Sequence, residues 1–398
     1  MARSYFLYNP FRKRRLLFYL LFIACSKDPS PLPEPEPKPP SRTILYYLAA
    51  DNSLYDEAND KVEALRAGFP DGENRLVIYK DTRNHTPELL EIYRDDQNQS
   101  QVRTVKTYPE QNSASGETLE QVLDDVQERF PADSYGLILF SHASGWLPRG
   151  TLVRPDLALL QMGIHPAIRT YTLAMDGTDE LNLTEFATAI PDHFFDFIAF
   201  EACFMTGIEV LYELKDKTDC IIASSAEMLS PGFLPMYPGA LSLLYRPQAD
   251  AVGFAQQYFN FWNGLSGDYR SATISVIQTK DLPLLADWAA QHVPDAVEGE
   301  DLPAFQHFDR YSSHRLFFDF ADYYGRNVSG EDREQLTALL DRVVVYRAAT
   351  PTFIPSQRGF EIRQHSGITT YIPQERFVSL NKRYADLAWT QRILIPKP

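Results

Sequence analysis

Two short apolar runs, each followed by a polar motif, constrain the fold of this chain most strongly. Tyr135–Phe140 leads into Ser141–Trp146, and Phe195–Phe200 leads into Glu201–Met205. Near-continuous apolar runs of this length are typical of strands buried on both faces, as in a parallel sheet. Ligands of open α/β sheets bind just beyond the carboxyl ends of the strands. We therefore expect the two polar motifs to meet in one site.

The rest of the chain alternates between strand-like and helix-like segments, which is typical of a doubly wound sheet. We predict an α/β fold with a mostly parallel sheet flanked by helices, the helices covering about residues 54–67, 115–129 and 206–215. A more exposed antiparallel pair is expected near residues 89–93 and 102–108. Beyond residue 244 the pattern changes, which indicates a C-terminal α+β subdomain at 245–398 packed on a first domain at 42–244.

Residues 1–24 have the pattern of an export signal. Basic Arg12–Arg15 precedes the apolar stretch Leu16–Ala24, which is too short to span a bilayer and has the length of a signal-peptide core. The stretch ends in Phe22–Ser26, which resembles the bacterial lipoprotein signal, in which the cysteine is lipidated and becomes the first residue. We therefore predict lipidation at Cys25. An ordinary secretory signal and an uncleaved anchor are the alternatives.

Residues 25–41 are rich in proline and are predicted to form a semi-rigid tether. Such a tether would hold the folded body away from a membrane, giving an exported, membrane-anchored lipoprotein of the cell envelope. Removal of residues 1–24 removes five basic residues and no acidic ones, which takes the net charge from −15 to −20. A body this acidic argues against nucleic acid as a partner and weakly favours cationic substrates.

Cys203 and His142 are the candidate catalytic residues. A thiol and an imidazole at neighbouring strand ends are the usual source of a nucleophilic thiolate. The N-terminus of the helix predicted from about residue 206 would lower the pKa of the Cys203 thiol, and Gly145 would permit close approach of the backbone. The alternatives are a buried structural cysteine and a structural histidine. Cys220 begins an apolar run and is predicted to be a small buried hydrophobe, with no disulfide framework and no zinc-ligand spacing in the chain.

Glu201 is two residues before Cys203, so strand alternation predicts that the two side chains face the same side, roughly 7 Å apart. Its carboxylate could hold a substrate cation. Alternatively, a neighbouring donor engages it and the pocket accepts a polar, neutral residue. The connection between the two motifs is long and carries Arg149, Arg154 and Arg169, which are candidate sites of self-cleavage.

The two motifs, Ser-His-Ala-Ser-Gly-Trp and Glu-Ala-Cys-Phe-Met, resemble the catalytic motifs of the clostripain family of cysteine peptidases. The resemblance runs in order from about Thr43 to Ile393 and includes three further segments, Leu48–Leu54, Phe317–Ala321 and His365–Pro373. It implies a caspase–hemoglobinase-like fold, His142 as general acid/base and Cys203 as nucleophile. It implies no obligatory cofactor, and calcium dependence is a feature of some members only.

The chain departs from the family pattern at Glu201, where aspartate is usual and lies in a pocket specific for arginine. Residues 225–233 follow the next strand, where the family builds the rest of that pocket. We predict a lipid-anchored cysteine endopeptidase that acts on protein or peptide substrates, with cleavage after Arg or Lys as the specificity to test and Glu201 and Gly145 as substrate-binding residues. The rival interpretations are a catalytically silent binding lipoprotein that keeps the fold and another thiol-dependent acyl hydrolase or transferase.

Overall fold

The computed structural model describes residues 41–148, 174–297, 299–310 and 315–394, and its central element is a nine-stranded sheet. The strands are β1 (Arg42–Ala50), β2 (Arg75–Thr82), β3 (His85–Arg94), β4 (Ser100–Thr107), β5 (Ser134–Phe140), β6 (Phe195–Glu201), β7 (Cys220–Ala223), β8 (Thr273–Gln278) and β9 (Val344–Ala349). Two-residue strands form three further pairs, Met175–Asp176 with Asp179–Glu180, Phe318–Asp319 with Thr369–Thr370, and Thr352–Phe353 with Phe360–Glu361.

The strand order is β9-β8-β7-β6-β5-β1-β2-β3-β4. The five central strands, from β7 to β2, pair in parallel, and the strands outside them pair antiparallel. The predicted α/β sheet is therefore confirmed as a mixed sheet with a parallel centre, and so is the antiparallel pair, which forms β3 and β4. Parallel strands align their carboxyl ends, so β5 and β6 deliver the two sequence motifs to the same edge.

Helices cover both faces of the sheet. They are α1 (Ala58–Gly68), α2 (Gly116–Arg129), α3 (Leu183–Ala189), α4 (Ile208–Glu213), α5 (Tyr237–Ala240), α6 (Ala251–Asn263), α7 (Leu282–Gln291), α8 (Phe320–Gly325), α9 (Gly330–Val343), α10 (Val378–Ala385) and α11 (Ala388–Leu394). Side chains alternate along β1, so Leu45 and Tyr47 enter one core layer while Ile44 and Tyr46 enter the other. The layer on the α1 side also contains α5 and α6, and the opposite layer contains α2 to α4 and α7 to α11.

Local sequence explains where several helices begin. Ser115, predicted to open a helix, is the N-cap of α2, and its Oγ accepts a hydrogen bond from the Thr118 N–H at 3.1 Å. The helix predicted over 206–215 is shorter, since α4 begins at Ile208 and ends at Glu213. Cys203 is therefore five positions before the helix, rather than about three as predicted. This difference matters for the thiol.

Residues beyond 244 contribute β8 and β9 to the same sheet, and the described residues form one compact unit. The division at residue 244 into a catalytic domain and a C-terminal subdomain stays a prediction. The signal segment, residues 25–40 of the tether and the arginines at 149, 154 and 169 lie outside the described residues. Within the described ranges, no helix combines the length and the apolar character needed to cross a membrane.

Candidate active site

The pairing of β5 with β6 places the two candidate catalytic residues at equivalent positions. Phe140 aligns with Glu201 at the ends of these parallel strands, and His142 and Cys203 each follow that pair by two residues. Adjacent strands lie about 5 Å apart. Both residues line one cavity of about 240 Å³. The structure therefore brings together the histidine and the cysteine that the sequence singled out.

Cys203 is half-buried at the floor of this cavity, and its Sγ accepts a hydrogen bond from the Met228 N–H at 3.3 Å. Burial raises the pKa of the thiol to about 12, and the charge of Glu227 acts in the same direction. The Met228 hydrogen bond and the charge of Arg310 act to lower that pKa. The expected lowering by a helix N-terminus is wrong, because α4 begins too far along the chain. At neutral pH the sulfur is a thiol.

His142 is also half-buried, and its Nε2 lies 2.8 Å from the Ser53 hydroxyl. Burial lowers the pKa of the imidazole to about 4, so the ring is neutral at physiological pH. A neutral imidazole can accept a proton, which a general base requires. Burial therefore favours the uncharged form of both the thiol and the imidazole.

Gly145 lies where the loop after β5, which carries His142, contacts the loop after β6, which carries Cys203. Its φ is +62°, and a Cβ at this position would lie 2.7 Å from the Phe204 carbonyl oxygen and 3.2 Å from the Phe317 ring. The expected close backbone approach at Gly145 is present, but the backbone that it approaches is that of Phe204 and not a substrate site. Gly145 does not line the described cavity, so its assignment as a substrate-binding residue gains no support from the geometry. Phe204 has φ +59° and stacks on Phe317 with ring centroids 4.4 Å apart.

Glu201 is 3% exposed, and donors surround its carboxylate. Oε2 accepts from the hydroxyls of Tyr46 at 2.8 Å and Tyr237 at 2.6 Å, and Oε1 accepts from the Phe233 N–H at 2.5 Å and from the Lys61 ammonium. These partners belong to the α1-side layer, whereas Cys203 packs against the opposite layer. Glu201 and Cys203 nevertheless line the same cavity, so the expectation that they face one pocket is confirmed, although the Glu201 oxygens bind partners in the α1-side layer.

Lys61 is the internal counter-ion of Glu201. It lies on α1, is fully buried, and also donates to the Pro231 carbonyl at 2.6 Å. Its Nζ is 4.3 Å from the centroid of the Phe140 ring and 3.7 Å from a carboxylate oxygen of Glu57. The charge of Glu201 is thus balanced inside the protein before any substrate arrives.

A second ion pair crosses the cavity wall. The Arg310 guanidinium binds Glu227 through two contacts, Nε to Oε2 at 2.5 Å and Nη2 to Oε1 at 3.1 Å. Glu227 belongs to the segment 225–233 that was predicted to complete the pocket, and Glu227, Met228, Leu229, Ser230 and Gly232 all line the cavity. Sequence reasoning missed Ser53, Lys61 and Arg310. Lys61 follows Asn59 and Asp60 in a polar stretch that gives no sign of burial.

The described residues contain no group of three or more His, Cys, Asp or Glu side chains that could hold a metal ion. Cys203 and Cys220 are free cysteines, and Cys220 is buried in the α1-side core layer as expected. The predicted lipidation site, Cys25, lies outside the described residues.

The sheet order, with a thiol and an imidazole at adjacent strand ends, is that of the caspase-like cysteine peptidases. A sequence profile of the clostripain family matches residues 46–348, so the chain belongs to the clostripain family. Clostripain from Hathewaya histolytica is 27% identical over 222 residues, a stretch that covers 48% of this chain and 40% of clostripain. The match thus spans less than half of that relative's length.

Two solved structures share the fold. An inactive zymogen protease from Parabacteroides distasonis is 29% identical, with a TM-score of 0.75 over 89% of this chain and 98% of its own. A secreted cysteine protease from Bacteroides thetaiotaomicron is 24% identical, with a TM-score of 0.76 over 89% of this chain and 99% of its own. The fold expected from the resemblance, a caspase-like α/β fold, is confirmed.

Proposed function

We propose that this protein is a cysteine endopeptidase in which Cys203 and His142 form the catalytic dyad. The observation that carries the proposal is their placement at aligned ends of β5 and β6 in one cavity. Sγ attacks the scissile carbonyl carbon while the thiol proton passes to the imidazole. The imidazolium then protonates the leaving amine as the C–N bond breaks. Water, deprotonated by His142, hydrolyses the thioester and restores the thiol.

The developing oxyanion needs donors that are in place before the reaction. The backbone N–H groups of Cys203 and Ala143 are the proposed donors, each worth a few kcal/mol of transition-state stabilisation. Because the dyad rests uncharged, proton transfer accompanies attack on a bound substrate. Substrate binding that excludes water and orients the imidazole would favour this transfer.

Replacement of Cys203 by alanine tests the proposal. We expect Cys203→Ala to abolish peptide hydrolysis and labelling by a peptidyl acyloxymethyl ketone while the melting temperature stays nearly unchanged. Cys220→Ala is the matched control and should retain both hydrolysis and labelling. Hydrolysis by the Cys203→Ala protein, or a large loss of stability without a specific loss of labelling, would favour a structural cysteine.

The specificity predicted from Glu201 was cleavage after Arg or Lys. The four donors around its carboxylate, one of them the buried Lys61, favour the other outcome, in which Glu201 is engaged internally and the pocket accepts an uncharged residue. We therefore expect Glu201→Gln to lower kcat/KM by a similar factor for cationic and neutral substrates. A selective loss, at least about tenfold for Lys and Arg substrates alone, would restore Glu201 as their direct partner.

The proposed location is a membrane surface in the cell envelope, reached through lipidation of Cys25. The basic run, short apolar core and cysteine of residues 12–25 support it. Cys25→Ala should release the protein from the membrane fraction or leave it as unprocessed precursor. A processed N-terminus with unchanged membrane partitioning would contradict lipidation at Cys25. Self-cleavage after Arg149, Arg154 or Arg169 stays a prediction, tested by mass spectrometry of the active protein.

One observation favours a second function, a catalytically silent lipoprotein that keeps the fold and binds peptides. Cys203 is packed against the core, and burial raises the pKa of its thiol, which disfavours the nucleophilic thiolate. The acyloxymethyl ketone separates the two functions, because only a reactive dyad is labelled at Cys203. A mixed peptide library then distinguishes an endopeptidase from another thiol-dependent acyl hydrolase or transferase.

A further inference from the structure

The Arg310–Glu227 pair has the geometry with which a pocket carboxylate holds an arginine. Two contacts join the guanidinium to both carboxylate oxygens, and Nη1 also donates to the Gln357 carbonyl at 3.2 Å. Planar, bidentate contacts of this kind are the strong form of the arginine–carboxylate interaction. Both residues line the cavity that contains Cys203 and His142. The protein's own arginine thus occupies the contact that a substrate arginine would use.

We propose that Arg310 determines specificity by occupying Glu227, so that the cleft accepts an uncharged residue before the cleaved bond and would prefer Arg or Lys if Arg310 were absent. The proposal rests on the proposed peptidase function and names the substrate class of the same site. It goes beyond the assignment of specificity to Glu201, because it transfers control of selectivity to a residue from a distant loop.

The other carboxylates of the cavity explain why Arg310 has this influence. Glu201 is balanced from within by Lys61, and Glu57 accepts from the Ser230 hydroxyl at 2.5 Å and lies 3.7 Å from the Lys61 ammonium. Lys61 is fully buried, so a substrate cannot displace it. Glu227 is the carboxylate whose counter-ion is at the rim, because the Arg310 side chain is 23% exposed and that of Glu227 is 11% exposed. Removal of Arg310 therefore exposes one negative charge beside the nucleophile.

A pair of isosteric peptides isolates this charge. Peptides with arginine or citrulline before the cleaved bond differ in charge but scarcely in shape. The measured quantity is the ratio of kcat/KM for the arginine peptide to that for the citrulline peptide. A ratio cancels changes common to both substrates, such as an altered thiol. We expect a wild-type ratio near one, and a rise of at least about tenfold in Arg310→Gln.

Three further variants form a cycle with a control. Glu227→Gln removes the negative charge beside Arg310, so the ratio should fall about tenfold below the wild-type value. The double variant Arg310→Gln/Glu227→Gln should have a ratio near the wild-type value. Arg310→Lys should also stay close to the wild-type ratio because the positive charge is retained. Arg326→Gln removes a comparable arginine that pairs with Asp322 away from the cavity, and should not change the ratio.

A binding measurement keeps the test independent of catalysis. Fluorescence anisotropy on the Cys203→Ala protein gives Kd for the same peptides, and Arg310→Gln in that background should strengthen binding of the arginine peptide alone. A ratio that Arg310→Gln leaves unchanged in both measurements would overturn the proposal, and so would a wild-type preference for arginine above about tenfold. Absence of cleavage with the expected change in Kd would contradict the peptidase function and support the specificity assignment.

Discussion

Two ion pairs border the same cavity and differ in where their cations lie. Glu201 and Lys61 are 1% and 0% exposed in their side chains, whereas Glu227 and Arg310 are 11% and 23% exposed. Glu201 has four protein donors in addition to its place at the end of a central strand. Glu227 is held chiefly by one long side chain from another loop.

The difference separates structure from selectivity. A charge is costly to bury. Removal of one member of a buried ion pair therefore destabilises the protein, because the other charge stays buried without its partner. A pair near solvent loses little when it is broken, because water replaces the partner. Glu201 and Lys61 should therefore determine stability, and Glu227 and Arg310 should determine which substrates bind.

The largest expected effect is the loss of stability when Lys61 is replaced. Lys61→Met should lower the free energy of unfolding by about 3–5 kcal/mol, because the Glu201 carboxylate would remain buried without its cation. Urea denaturation measures the loss. Lys80→Met is the control, since the Lys80 ammonium contacts an exposed Asn59 side chain, and it should cost less than about 1 kcal/mol. Similar losses for both lysines would contradict the structural role of the buried pair.

Glu209 is a buried carboxylate with no bound cation among the described residues, and it can be compared with Glu201, which is paired with Lys61. Glu209 accepts from the Tyr371 N–H at 2.9 Å and the Thr370 hydroxyl at 3.2 Å, and its Oε2 has no hydrogen-bond partner. Burial raises the pKa of Glu209 from 4.5 to about 7. Between pH 4.5 and about pH 7, Glu209 keeps a proton in the folded protein that the unfolded chain has released. The free energy of unfolding therefore falls as the pH rises through this range.

Glu209→Gln should remove that loss. The stability of the variant relative to wild type should rise by roughly 3 kcal/mol from about pH 4.5 to pH 7 and then stay constant. Other buried carboxyls titrate in the same window, so the difference between the two proteins is the quantity to follow by urea denaturation. Exposed Glu117→Gln should give no comparable trend. A pH-independent difference for Glu209→Gln would contradict the prediction.

Gly232 tests how tightly the buried network is enclosed. Its φ is +62°, and a Cβ would lie 2.5 Å from Oε1 of Glu201. Gly232→Ala should cost about 1–3 kcal/mol through overpacking and backbone strain. Gly177→Ala is the control, because Gly177 has φ +51° and nothing within 4 Å of a Cβ. If both variants lose the same stability, backbone strain alone accounts for the effect and the network is not constrained.

The smallest expected effect is at the rim. Arg310→Gln should change the free energy of unfolding by less than about 1 kcal/mol while changing the substrate ratio, since the pair is partly solvated. Thermal unfolding with Arg326→Gln as reference measures this. A loss of stability comparable with that of Lys61→Met would mean that both ion pairs stabilise the fold.

The fold was largely predictable because its signals are local. The apolar runs before His142 and Cys203 identify two central strands, and Ser115 marks the start of α2 by its capping chemistry. Helix length was less predictable after Cys203. There Phe204 has a positive φ, and the helix predicted from about residue 206 begins only at Ile208.

The candidate site was predictable only in part. His142 and Cys203 follow from strand ends and motifs, but the engagement of Glu201 depends on Lys61, which is 140 positions away. Arg310 is 83 positions from Glu227, and no periodicity relates them. Pairing between distant loops depends on tertiary packing, so a motif can identify the nucleophile and still assign the wrong electrostatics to its pocket.

The sheet order has a consequence for how the chain can be divided. Residues 42–140 supply the contiguous half β5-β1-β2-β3-β4, and residues 195–349 supply the contiguous half β9-β8-β7-β6. The halves meet at the β5–β6 pairing, with His142 on one side and Cys203 on the other. In the nine-stranded sheet, β5–β6 is the pairing that joins the residues before 148 to those after 174, and each other strand pairing lies within one of these two parts. This protein is therefore suited to fragment complementation, in which neither piece has a complete dyad and activity reports that the pieces have associated.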